Sequence, residues 1–210
     1  GNMLGAEQSG FIADLGYETY QKILEEAVDE LKSDEFADLY ADSDDGKRDS
    51  GSEYVRETYI ESDLELMFPP TYIPNDSERV SLYRELDKME EERDILAFTE
   101  RLKDRFGKIP KEGKELIRIV RLRRMAKKLG MEKVVLKKGQ MNIILISNSE
   151  SPYYQSEAFD KLLAFIQKHP RECNLRDQNG KRSIVIKNVR TVETACMLLE
   201  EIEKTKTSHE

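Results

Sequence analysis

Residues 173–187 read CNLRDQNGKRSIVIK, with two short strand-like runs on either side of an Asn-Gly pair. The runs cover 173–176 and 182–187. Asn179 and Gly180 tolerate the positive φ angles that a tight turn between antiparallel strands requires. This stretch therefore predicts a β-hairpin. A second hairpin is predicted upstream, from strands at 133–136 and 141–147 around the turn KKGQ at 137–140.

Each hairpin is followed by a segment with the apolar spacing of a helix. These segments cover 156–168 and 191–204, and Cys196 shares the apolar face of the second with Val192, Leu199 and Ile202. The resulting order is ββαββα with short connections. It predicts an α+β fold in which helices cover one face of a sheet.

The segment before the hairpins predicts one strand and three helices. The strand covers 58–66 and is stopped by Pro69-Pro70, and the helices cover 77–88, 94–106 and 110–130. Gly107 offers a left-handed cap to the second helix. In the junction LKDRFGKIP at 102–110, Phe106 and Ile109 are expected to pin two helices, which leaves Asp104 and Arg105 free to reach a partner.

The N-terminal quarter predicts an amphipathic helix and an acidic linker. Residues 17–32 place six apolar side chains on one stripe: Tyr20, Ile23, Leu24, Ala27, Val28 and Leu31. Residues 33–53 are rich in Asp, Ser and Gly and bury too little apolar surface to offset their ordering entropy. We therefore divide the chain into a segment 1–32, a linker 33–53 and an α+β domain 54–210.

Charge is segregated along the chain. The net charge is −8, yet residues 108–138 hold 12 Lys or Arg against 3 acidic residues, a local +9. On the helix 110–130, Arg118, Arg121, Arg124 and Lys128 fall near one face and could track nucleic-acid phosphates. The competing interpretation, which we favour, is a solvated face that complements the negative end of the helix.

Catalytic chemistry is missing from the sequence. The Gly-Lys pairs at 46–47 and 180–181 are followed by Arg, whereas a phosphate loop needs Ser or Thr. His169 and His209 have no companion ligands at metal spacing, and Cys173 and Cys196 are typical of small core residues. We therefore predict no catalytic site, no metal site and no cofactor in this chain. The lack of a signal pattern and of a run near the ~20 apolar residues of a membrane span predicts a cytoplasmic protein.

Several motifs, taken in order, resemble the C-terminal end of bacterial transcription-repair coupling factors, DNA translocases that remove stalled RNA polymerase and recruit excision repair. The matching stretches are GNMLGAEQSG at 1–10, YIP at 72–74, RVSLY at 79–83, LKDRFG at 102–107, and residues 121–130. The resemblance implies that 1–32 is the trailing edge of the second motor lobe. Gln8, with Gly5 and Gly10, would then belong to the motif that couples ATP hydrolysis to movement on duplex DNA. ATP and Mg²⁺ would bind the parent motor, and this chain alone would neither hydrolyse ATP nor translocate.

For residues 54–210 the resemblance implies a regulatory domain. Such a domain packs against the N-terminal UvrB-like module of the same protein, covers the surface that binds UvrA, and restrains the motor until RNA polymerase is engaged. The implied contact residues are Asp104 and Arg105. Relatives carry an acidic residue three positions before the Asp, where this chain has Arg101 beside Glu100. The apolar stripe of 17–32 is expected to fold back on its own domain or to form a dimer.

Overall fold

The computed structural model describes residues 54–207, which hold five strands, five α-helices and one short 3₁₀ helix. The expected α+β fold is confirmed. The motif around Gln8, the helix at 17–32 and the linker at 33–53 lie outside the described residues. The elements, in chain order, are β1 (Tyr59–Ser62), α1 (Asp76–Asp87), α2 (Glu92–Phe106), α3 (Lys111–Lys128), β2 (Met131–Lys137), β3 (Gln140–Leu145), the 3₁₀ helix (Pro152–Gln155), α4 (Glu157–Lys168), β4 (Cys173–Gln178), β5 (Lys181–Lys187) and α5 (Val192–Lys204).

The five strands form one sheet in the order β1-β2-β3-β5-β4. Strand β1 runs parallel to β2, and the other three neighbouring pairs are antiparallel. Both expected hairpins are confirmed. Asn179 and Gly180 adopt the anticipated left-handed region, with φ of 54° and 77°. Lys138 and Gly139 in the other turn adopt the same region, with φ of 55° and 71°.

One face of the sheet is covered by helices. Alternate residues of the strands point to this face, and Ile60, Val134, Ile143 and Ile184 lie side by side across it, each 9% exposed or less. Helix α5 packs between α3 and α4, while α3 contacts β1 and β2 and α4 contacts β4. The remaining two helices, α1 and α2, pack against α3. Helices α3, α4 and α5 therefore cover this face, and α1 and α2 form a further layer against α3.

The segment 58–75 departs from the expected strand. The strand predicted at 58–66 is only Tyr59–Ser62, because the Ser62 hydroxyl accepts a hydrogen bond from the Leu64 amide at 3.0 Å and the chain turns away. The Thr58 hydroxyl donates to the Met131 carbonyl oxygen at 2.7 Å and fixes the start of β1 beside β2. The strand thus forms one edge of the sheet.

Other details also differ from the expectation. The third helix begins at Lys111, with Pro110 at its N-cap, and ends at Lys128 rather than at residue 130. Gly107 has the expected positive φ of 85°, but its ψ of −161° lies outside the left-handed helical region. The 3₁₀ helix was not anticipated. It places Tyr153 in the core, 0% exposed, with its hydroxyl donating to the Leu129 carbonyl oxygen at 2.7 Å.

Candidate functional site

Helix α2 has one buried face and one charged face. Ile95, Phe98 and Leu102 are at most 2% exposed and hold the helix against the core. The next residues in the same turns point to solvent because they lie on the other side of the 3.6-residue period. These exposed residues are Glu100, Arg101, Asp104 and Arg105. The structure therefore brings all four residues of the implied interdomain contact onto one exposed helix surface.

The C-terminal end of α2 is fixed by Tyr72. Its hydroxyl donates to the carbonyl oxygen of Gly107, just beyond the helix, at 2.8 Å and lies 3.3 Å from that of Leu102, near the end of the helix. Its ring lies 5.6 Å from that of Phe106. Burial raises the pKa of Tyr72 above its ordinary value of 10. The charged end of α2 is consequently held in one orientation.

Helix α1 is fixed by an arginine that sequence reasoning missed. Arg79 is 2% exposed and donates to the carbonyl oxygen of Ile73 at 2.6 Å and to the carboxylate of Asp76 at 2.6 Å. The Tyr83 hydroxyl accepts a hydrogen bond from the Phe68 amide at 3.0 Å. The motif LKDRFG at 102–107, distant in sequence, thus joins the motifs YIP at 72–74 and RVSLY at 79–83 in one structural unit.

This unit carries a group of charges that we call the α1–α2 charged surface: Glu78, Glu85, Arg101, Asp104 and Arg105. Arg105 forms an ion pair with Glu78, and Arg101 forms one with Glu85. Asp104 is exposed, and its carboxylate makes no hydrogen bond or ion pair within residues 54–207. The surface therefore offers two exposed arginines, Arg101 and Arg105, whose ion pairs can be exchanged for contacts with a partner. It also offers the carboxylate of Asp104.

Glu100 lies at the border of this surface. Its carboxylate is 3.4 Å from the ammonium group of Lys103, one helical turn along α2. Both side chains are largely exposed. An exposed pair of this kind contributes less than about 1 kcal/mol, so it leaves Glu100 able to exchange partners.

The basic face of α3 is largely engaged by acidic residues of the same domain. Arg121 and Arg124 both reach the Glu92 carboxylate, at 2.7 and 3.1 Å, and Arg118 lies 3.3 Å from Glu115. Burial would raise the pKa of Glu92, but hydrogen bonds from the two arginines outweigh it and the pKa is lowered. Lys128 is exposed. Three of the four residues in the nucleic-acid hypothesis thus already bind carboxylates, which favours the structural interpretation of this helix.

The carboxylate of Glu115 is a second feature that sequence reasoning missed. It is 7% exposed and accepts hydrogen bonds from the backbone amides of Val192 at 3.0 Å and Glu193 at 3.2 Å. These amides open helix α5, where the positive end of the helix dipole favours an anion. Helix α3 therefore caps α5 from outside. The Glu-x-x-Arg spacing of Glu115 and Arg118 indicates an ion pair on α3, but it could not reveal the distant amides.

The described part of the chain shows no competing chemical site. No group of three or more His, Cys, Asp or Glu residues at metal-binding spacing occurs within 54–207. Burial raises the pKa of Cys196 to about 12 and also raises that of Cys173, so neither thiol is an activated nucleophile. None of the described helices is long and apolar enough to cross a membrane. Gln8, Gly5 and Gly10 lie outside the described residues.

A family comparison matches this region. The TRCF domain model covers residues 62–156, which include the whole α1–α2 charged surface. The chain belongs to the transcription-repair-coupling factor family. Similar relatives are the transcription-repair-coupling factors of Mycobacterium bovis, 31% identical over 134 residues and 64% of this chain, and of Escherichia coli K12, 30% identical over 177 residues and 83% of this chain. The factor of Rickettsia prowazekii is 27% identical over 194 residues, or 91% of this chain.

The chain spans 10%, 14% and 15% of the length of these three relatives, respectively. A solved structure, the crystal structure of the C-terminal domain of a transcription-repair coupling factor, matches with a TM-score of 0.56 and 19% identity. The match covers 73% of this chain and 98% of that one. The fold described above is therefore that of the C-terminal domain of a transcription-repair coupling factor.

Proposed function

We propose that residues 54–207 form a regulatory domain that binds the N-terminal UvrB-like module of its own parent protein. The parent is an ATP-dependent DNA translocase of transcription-coupled repair that acts on RNA polymerase and duplex DNA. Docking of the domain covers the surface that UvrA would bind and restrains the motor. ATP and Mg²⁺ belong to the parent motor, and Gln8, Gly5 and Gly10 belong to its coupling motif. This chain supplies the restraint and no catalytic group.

The observation that carries the proposal is the exposed position of Asp104 and Arg105 on a rigidly held helix. Tyr72 fixes the end of α2 through the Gly107 carbonyl oxygen, so a partner meets these charges without first ordering them. The Asp104 carboxylate, which has no partner within residues 54–207, can accept hydrogen bonds from a cationic side chain of the module.

The existing ion pairs of the surface suit a reversible contact. Arg101 and Arg105 have side chains 61% and 64% exposed, and exposed ion pairs are each worth about 0–1 kcal/mol. Exchanging Glu78 or Glu85 for an acidic group of the module therefore costs little. Several such contacts together can hold the domain, and each can be lost separately when another protein competes.

The direct test is binding of the purified chain to the purified N-terminal module, measured by calorimetry. Reversing both charges, Asp104→Arg with Arg105→Glu, is expected to weaken binding at least tenfold, about 1.4 kcal/mol. The matched control is Arg93→Glu, which also reverses a charge on α2, at a side chain 81% exposed. The control is expected to bind within twofold of the wild type, and circular dichroism confirms that both variants fold. Equal binding by the double variant and the wild type would remove these residues from the contact.

The regulatory part of the proposal has a separate test in the full-length protein. Deleting the residues equivalent to 54–210 is expected to raise basal ATPase activity and to expose binding of UvrA. The charge-reversed double variant is expected to do the same to a smaller extent. Unchanged ATPase activity and unchanged UvrA binding after the deletion would refute the restraint, whatever the binding experiment shows.

A further inference from the structure

One end of the sheet gathers loops from four of its strands. The β2–β3 turn lies there, between the end of β2 at Lys137 and the start of β3 at Gln140. The end of β5 lies beside this turn, because Lys187 is paired with Gln140. The start of β4 follows on the other side of β5, where the Lys187 amide donates to the Glu172 carbonyl oxygen at 2.9 Å. Segments that are distant in sequence therefore meet at this end.

Backbone hydrogen bonds hold these loops together. The Val189 amide donates to the Gly139 carbonyl oxygen at 2.9 Å, which ties the loop after β5 to the β2–β3 turn. The side chain of Arg190 lies beside the same turn, since a Cβ atom added at Gly139 would be 3.8 Å from its Cγ. The Cys173 amide donates to the His169 carbonyl oxygen at 3.1 Å, so the end of α4 joins the same region.

This end of the sheet carries positive charge that is largely unpaired. Six exposed cationic side chains lie on its loops or beside them, and we call them the basic sheet end: Lys137, Lys138, Lys168, Arg171, Lys187 and Arg190. Lys137 shares the carboxylate of Glu61 with Lys133. The side chains of the other five make no ion pair or hydrogen bond within residues 54–207. They differ in this respect from the arginines of α3, which are engaged by Glu92 and Glu115.

The nearby carboxylates do not offset this charge. Three of them lie on the same strand ends and loops: Glu61, Asp63 and Glu172. Glu61 is already bound to two lysines, and Asp63 accepts a hydrogen bond from the Lys138 amide at 2.9 Å. Six cations against three carboxylates leave a local charge of +3, on a chain whose net charge is −8. The basic sheet end is therefore a positive surface on an acidic protein.

The width of the basic sheet end suits a nucleic-acid backbone. Neighbouring strands are about 4.8 Å apart, so β2 and β4, three strand intervals from each other, are separated by roughly 14 Å. Each strand of a DNA duplex carries one phosphate for about every 3.4 Å of its axis. The cations therefore extend along roughly four base pairs, and about four of them can reach phosphates at once.

The composition of the surface favours phosphates over a protein partner. The cores of protein interfaces are enriched in aromatic residues and Met. The large apolar side chains that are exposed within residues 54–207 lie outside the basic sheet end: Tyr59, Leu96, Leu175 and Met197. Exposed amide side chains, those of Gln140 and Asn188, lie among the cations instead. Such amides, together with Lys and Arg, are the side chains that commonly donate to phosphate oxygens.

We propose that the basic sheet end binds the phosphate backbone of duplex DNA without reading its base sequence. Because the backbone of the loops is already fixed, binding orders little beyond the cationic side chains themselves. The free energy comes mainly from the release of counterions from the DNA, so the affinity depends steeply on salt. The inference does not depend on the proposed regulatory function, since the basic sheet end shares no residue with the α1–α2 charged surface.

The test is fluorescence anisotropy of a labelled DNA duplex of mixed sequence, titrated with the full chain at several NaCl concentrations. For about four phosphate contacts, log Kd is expected to rise by about 3 to 4 for each tenfold increase in salt, or roughly 100-fold in Kd between about 0.05 and 0.2 M. The triple variant Lys138→Gln, Lys187→Gln and Arg190→Gln is expected to bind at least tenfold more weakly at low salt. Its salt slope is expected to fall by about 2 to 3.

The matched control removes three exposed cations from the opposite end of the domain: Lys128→Gln, Lys181→Gln and Lys204→Gln. Lys181 begins β5 at the other end of the sheet. Lys128 and Lys204 end α3 and α5, roughly 18–20 Å along each helix from the contact between Glu115 and Val192. Both triple variants lose the same net charge, so general electrostatic attraction changes equally in the two. The control is expected to bind within twofold of the wild type, and circular dichroism confirms that both variants fold.

Several outcomes would overturn the proposal. Equal losses in the two triple variants would assign DNA binding to overall charge, and a larger loss in the control would assign it to the other end of the domain. A wild-type chain that does not bind the duplex at low salt, or binds it with no dependence on salt, would also refute it. Poly-glutamate is added as a competitor, and displacement of the duplex at equal concentrations of negative charge would identify an acidic protein as the partner instead.

Discussion

The cap that Glu115 places on helix α5 can be tested by Glu115→Gln. This change keeps the size of the side chain and one acceptor oxygen, but it removes the negative charge that accepts from the Val192 and Glu193 amides at 3.0 and 3.2 Å. Hydrogen bonds to charged groups are worth about 1.5–3 kcal/mol, and an anion at a partly buried helix N-terminus is worth up to about 2 kcal/mol. Because the two effects overlap, we expect the free energy of unfolding to fall by about 2 kcal/mol.

The assay is urea denaturation of the full chain at neutral pH, followed by circular dichroism, with a thermal melt as a second measure. For a domain of this size, 2 kcal/mol corresponds to a fall of about 4–8 °C in Tm. The matched control is Glu200→Gln, the same change at an exposed position of α5, where we expect less than about 0.5 kcal/mol. If Glu115→Gln and Glu200→Gln unfold at the same urea concentration, the reasoning about the external cap is wrong.

Three further predictions concern single residues. Gly130→Ala is expected to destabilise the domain by at least about 2 kcal/mol more than Gly180→Ala. Both glycines have positive φ, of 74° and 77°, but of the two only Gly130 would place its new Cβ against a ring, that of Tyr153, at 2.2 Å. Equal denaturation midpoints for the two variants would contradict this. Glu92→Gln is expected to lower the free energy of unfolding at pH 7, because a carboxyl whose pKa is lowered by folding stabilises the folded state at pH values above its ordinary pKa of 4.5. This difference from the wild type should vanish as the pH falls through the folded pKa. A difference that does not change with pH would exclude the ion pairs as its cause. Burial raises the pKa of Cys196 to about 12, so its thiol is expected to react with a thiol reagent at pH 8 only after urea is added. Rapid labelling of the native chain would show instead that the thiol is accessible.

Local features of the fold were predictable because they depend on neighbours in the sequence. The turn at Asn179 and Gly180 follows from residues that accept positive φ, and the buried side of α2 follows from the spacing of Ile95, Phe98 and Leu102. The exposed positions of Asp104 and Arg105 follow from the same spacing. These rules act over a few residues, so a sequence displays them directly.

Other features were not predictable because they depend on tertiary contacts. Nothing near Arg79 indicates that its guanidinium is buried beside the Ile73 carbonyl oxygen, since arginine usually lies on the surface. The engagement of Arg121 by Glu92, 29 residues away, turns an apparent phosphate-binding face into an intramolecular ion pair. Spacing along one helix shows which side chains share a face, but the neighbouring helix decides what they bind.

The parallel pairing of β1 with β2 has a consequence during protein synthesis. Tyr59 lies opposite Lys133, so the first strand leaves the ribosome more than seventy residues before its partner. At about 5–20 residues per second this delay is roughly 4–15 s, far longer than a hairpin needs to form. Until then Ile60 has no neighbouring strand, while α1, α2 and α3 are all synthesised. We therefore expect β1 to stay without a partner strand until β2 has been synthesised.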